Sequence, residues 1–123
     1  MADLTWNVNY RVDKGNLNDS TSATNVTANM SVVGLYQATL SMTTATQNIS
    51  TATLSSVGLC FLRNLSSAAN STVQVGVLSG TSFVAFSTLR GSEVGILRLA
   101  SGTQYQARGS SASDRLRVDI VEG

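Results

Sequence analysis

The sequence predicts an all-β fold, an antiparallel β-sandwich of about eight to ten short strands with no substantial helix. Three observations predict it. Apolar residues recur at period two in one segment after another, turn residues interrupt these segments about every ten residues, and no segment holds a helical period. Proline is absent, which suits strands inside a ladder, where a missing N–H is costly. With 123 residues, 42% of them hydrophobic, the chain can build one core, so a single sandwich domain over 1–123 is expected.

Residues 4–12 alternate cleanly, with Leu4, Trp6, Val8, Tyr10 and Val12 on one side and Thr5, Asn7, Asn9 and Arg11 on the other. That is the pattern of a half-buried strand. Asp13-Lys14-Gly15-Asn16 is turn chemistry, and the Asn-, Asp-, Ser- and Thr-rich stretch after it reads as a polar loop or arm over about residues 13–25. Alternation returns over residues 26–32 and again over 38–42, with Gly34 between them. Residues 46–56 carry only Ile49 and Leu54 as large apolar anchors, which fits a thin edge strand or an irregular crossing. Six further strands are expected over 57–62, 73–77, 83–89, 94–99, 105–108 and 116–121, divided by Ser-, Asn- and Gly-rich turns.

Composition excludes several chemistries. With no His and one Cys, a His-based metal centre, a zinc knuckle, a His-dependent triad and an internal disulfide are out of reach. No metal, no cofactor and no enzymatic activity are expected. A net charge of +1 leaves no footprint for nucleic acid or an anionic membrane. The first residues lack the basic and apolar stretches of a secretory signal, so synthesis in a cytoplasm is expected. Ser, Thr, Asn and Gln make up 46 of the 123 residues against 15 charged ones, so the surface is polar but sparsely ionic.

Cys60 lies between Leu59 and Phe61 with no cationic neighbour to lower its pKa, and an inert thiol is expected. Arg115 and Arg117 alternate with apolar residues, which places them on a solvated outer face. Trp6 and Tyr10 share the apolar side of the first strand and are expected in a core or subunit contact. In residues 59–62 the alternation fails: Leu59 and Phe61 occupy one side, Cys60 and Leu62 the other. Ile96 and Leu97 break it in the same way. A sandwich strand has one core face, so the second must meet something else. These six residues, with Trp6, Tyr10 and the polar-arm residues Asn16, Leu17 and Asn18, are the candidate contacts to other subunits or to a shell. Few charges and near-neutrality also favour a homo-oligomer.

The second half carries a resemblance. Gly58-Leu59-Cys60-Phe61-Leu62-Arg63-Asn64-Leu65, Val73-Gln74-Val75-Gly76, Leu89-Arg90-Gly91-Ser92-Glu93-Val94-Gly95-Ile96-Leu97-Arg98-Leu99 and Leu116–Glu122 together resemble small jelly-roll-like virion proteins of tailed bacteriophages. The resemblance runs from Val57 onward and implies a jelly-roll-like sandwich. It also implies a structural component without turnover, a capsid decoration or cement protein on the outer head shell. The implied partners are further copies of itself, most often as a trimer, and the major capsid protein or other virion proteins. A neck, tail or baseplate component is the alternative within this class. In a different class stands a carbohydrate-binding β-sandwich module using Tyr36, Tyr105 and loop asparagines.

Overall fold

A computed structural model describes residues 2–30 and 32–123. The strands are β1 (Leu4–Lys14), β2 (Leu17–Ala28), β3 (Leu35–Ser41), β4 (Gln47–Asn48), β5 (Val57–Asn64), β6 (Thr72–Ser79), β7 (Ser82–Arg90), β8 (Val94–Arg98), β9 (Tyr105–Gly109) and β10 (Arg115–Glu122). No helix occurs among the described residues. The chain divides into two compact units, Met1–Ser31 and Val32–Gly123.

The first unit is a two-stranded antiparallel ribbon, paired from Leu4 opposite Ala28 to Lys14 opposite Leu17. Gly15 and Asn16 form its two-residue loop, and Gly15 has φ 59°, the left-handed conformation that primed hairpin turns require at this position. A bulge between Trp6 and Val8 is matched on β2 by Asn25 at φ 55°, whose N–H donates to the Asn7 side chain at 2.7 Å. Of the polar loop or arm expected over about 13–25, the loop is corrected: most of the segment is the exposed strand β2. Backbone pairing to β1 holds this segment extended although its side chains are mostly polar and exposed. The strand expected over 26–32 is the end of β2, which stops at Ala28, and Ser31 lies outside the described residues.

The second unit is an antiparallel β-sandwich of two four-stranded sheets, ordered β3-β10-β5-β8 and β4-β9-β6-β7. Only the β6–β7 link is a hairpin within one sheet; every other link crosses to the opposite sheet. Alternation selects the core. Leu116, Val118 and Ile120 on the central strand β10 are wholly buried, as are Val73 and Val75 on β6 and Ala107 on β9. Burying a side chain of this size stabilises the fold by about 1.5–3 kcal/mol, so the two inner faces supply most of the driving force. Gly76 faces the bulge that Phe86 makes in β7, and a Cβ there would lie 2.1 Å from the carbonyl oxygen of Val84. The short β4 agrees with the thin edge strand or crossing expected over 46–56.

Candidate interaction surfaces

Two buried carboxylates of the sandwich are held by short-range donors. Asp114, 2% exposed at the start of β10, accepts from the Ser71 hydroxyl at 2.6 Å, the Ser110 hydroxyl and N–H at 2.8 Å and the Ser111 N–H at 3.0 Å. Burial pushes its carboxyl up, but the Ser71, Ser110 and Ser111 hydrogen bonds outweigh that and hold it below the ordinary carboxylate range. Ser71 in turn accepts from the Asn64 amide at 3.3 Å, and Asn64 also donates to the Leu89 carbonyl at 3.1 Å. Three loops are thereby tied together at one end of the sandwich. Glu122 does the same for the 55–56 segment. It accepts from the Ser55 N–H at 2.8 Å, the Ser56 N–H at 2.9 Å and the Ser55 hydroxyl at 3.0 Å. The Ser56 and Ser55 N–H groups hold its pKa below the usual value. Ionised and fully engaged, both carboxylates act as loop staples.

The Cys60 thiol is 2% exposed, and burial, with the Asp119 charge, pushes its pKa up to about 12. Its neighbours on the inner face leave it the role of a small hydrophobe. Of the aromatic residues considered for sugar stacking, Tyr105 is 6% exposed, with its hydroxyl donating to the Ala100 carbonyl at 3.0 Å and accepting from the Ala100 N–H at 2.8 Å. Tyr36 packs against the core. Neither ring is a platform. A surface groove bounded by Asn48–Ala52 and Gly102–Gln104 is lined by no aromatic side chain.

Both sheets leave apolar side chains exposed, Val84 and Phe86 of β7 at 50% and 47% among them. On β4-β9-β6-β7 the outward side chains include Gln74, Thr88, Gln106 and Arg108, and the Phe83 ring is covered by the Arg108 guanidinium 5.1 Å from its centroid. On β3-β10-β5-β8 the outward side chains combine an apolar band with charged ones. Phe61 lies opposite Ile96 on one side and Asp119 on the other, and Leu59 and Val121 continue the band. Leu35 and Val94 at its edges are 57% and 54% exposed. Arg63, Arg98, Arg115 and Arg117 frame it, and the Asp119 Oδ2 accepts from Arg117 Nε at 3.1 Å. The other Asp119 oxygen, Oδ1, is buried without a hydrogen-bond partner.

Of the expected contact residues, Leu59, Phe61 and Ile96 lie on this outer face. Cys60 and Leu62 do not: both are 2% exposed and point into the core, so as contact residues they are corrected. Leu97, opposite Cys60, packs against the same core and is corrected with them. The apolar doubling of β5 is real, and period two assigns one half of it to each side. In the hairpin unit, Trp6 and Tyr10 share the apolar side with Leu4, Val8 and Val12; Val8 is 45% and Tyr10 48% exposed. The Tyr10 hydroxyl donates to the Asp19 carboxylate at 2.6 Å. Asn16, Leu17 and Asn18 form the exposed tip, with Leu17 at 60%. Sequence reasoning did not single out Asp114, Glu122 or Asn64. The run Ser110-Ser111-Ala112-Ser113-Asp114 was the available signal, since Ser and Asp side chains cap nearby backbone N–H groups in turns.

Comparisons of the chain with protein-family models, curated proteins and solved structures give no significant match.

Proposed function

We propose that this chain is a non-enzymatic structural subunit of a tailed-bacteriophage virion, in the first place a capsid decoration protein that binds and stabilises the outer head shell. The observation that carries the proposal is the apolar band of Leu59, Phe61, Ile96 and Val121 on the outer side of β3-β10-β5-β8, outside a core that is already complete. Contiguous apolar patches on a domain surface often mark interaction sites. Connectivity supports it as well. Counted from β3 as the first strand, the sheets run 1-8-3-6 and 2-7-4-5, the double Greek-key order of a jelly roll, an architecture that viral capsid domains share with lectins. The binding energy comes from burying the Phe61 and Ile96 band, and a nearly uncharged Ser/Thr-rich surface adds neutral hydrogen bonds that salt does little to screen.

The test mixes purified chain with expanded, DNA-filled capsids of the parent virus and follows co-sedimentation and cryogenic imaging. Saturation at a fixed number of copies per capsomer is the expected result. Density confined to the neck, tail or baseplate would move the assignment there within the same class. No binding to any part of the particle would overturn it.

A further inference from the structure

We draw no further inference here: the strongest candidate, the apolar side of the β1–β2 ribbon with Trp6, Val8 and Tyr10, is a sheet face without a second layer in its own unit, and nothing in the structure shows what covers it.

Discussion

Replacing Asp114 with alanine removes an acceptor that four donors share. Two of them, the hydroxyl and N–H of Ser110, belong to an exposed residue and regain water. Ser71 is only 4% exposed, and its hydroxyl loses its acceptor while still receiving the Asn64 amide. A buried group left without its partner costs about 1–3 kcal/mol, and a hydrogen bond to a charged acceptor contributes about 1.5–3 kcal/mol, so the total loss is ~3 kcal/mol. Against a domain stability of about 5–15 kcal/mol that is a large fraction. With a urea slope near ~1 kcal/mol/M for a domain of this size, the unfolding midpoint should fall by ~2–3 M. Far-ultraviolet circular dichroism is the suitable probe, because the lone tryptophan, Trp6, is in the hairpin unit and reports on the wrong body. Ser110→Ala serves as the control and should cost less than ~1 kcal/mol. Equal losses for the two variants, or a loss below ~1 kcal/mol for Asp114→Ala, would refute the staple.

Asp114 and Glu122 both titrate below their ordinary values of about 3.9 and 4.3. Their contribution is therefore complete above about pH 5 and is lost as pH falls through that range toward the lower folded values; urea midpoints measured from pH 6 to pH 2.5 should drop, and Asp114→Asn should flatten the drop. Leu116→Asp or Val118→Asp puts an unpaired charge at a fully buried position and should abolish soluble folded protein, whereas Arg115→Ser on the exposed face should shift stability by less than ~1 kcal/mol in the same titration. The Cys60 thiol should resist alkylation by iodoacetamide at pH 8 until urea unfolds the sandwich, and labelling of the native protein within minutes would contradict its burial. Gly15→Val should weaken the hairpin, because Gly15 sits at φ 59°, where a β-branched residue is strained, and faster amide exchange in β1 and β2 measures it.

Strands that bury one side could be read directly. In β10 the order Leu116, Val118, Ile120 against Arg115 and Arg117 gives both the element and its inner face. β2 could not be read that way, since its extended form comes from pairing to β1 and not from any burial of its own. Two signals were present, the Gly15-Asn16 pair after an alternating run and the β-favouring Thr21, Thr24 and Thr27. The doubled apolar character of β5 announced two buried-type faces, but which side was inside depended on register against β10 and β8. The Ser71–Asp114 and Ser55–Glu122 staples join residues 43 and 67 positions apart, a proximity that only the crossing connections create.

The place of β10 in its sheet also governs when folding can finish. It sits between β3 and β5, so two strands made early stay unjoined until the last one is synthesised. Long-range pairing of this sort is slow, and until it closes, the growing polypeptide carries open strand edges that invite clumping. A product cut short before residue 115 would lack the keystone of that sheet, leaving β3 and β5 with no common neighbour, and should be destroyed or precipitate in place of persisting as a smaller fold.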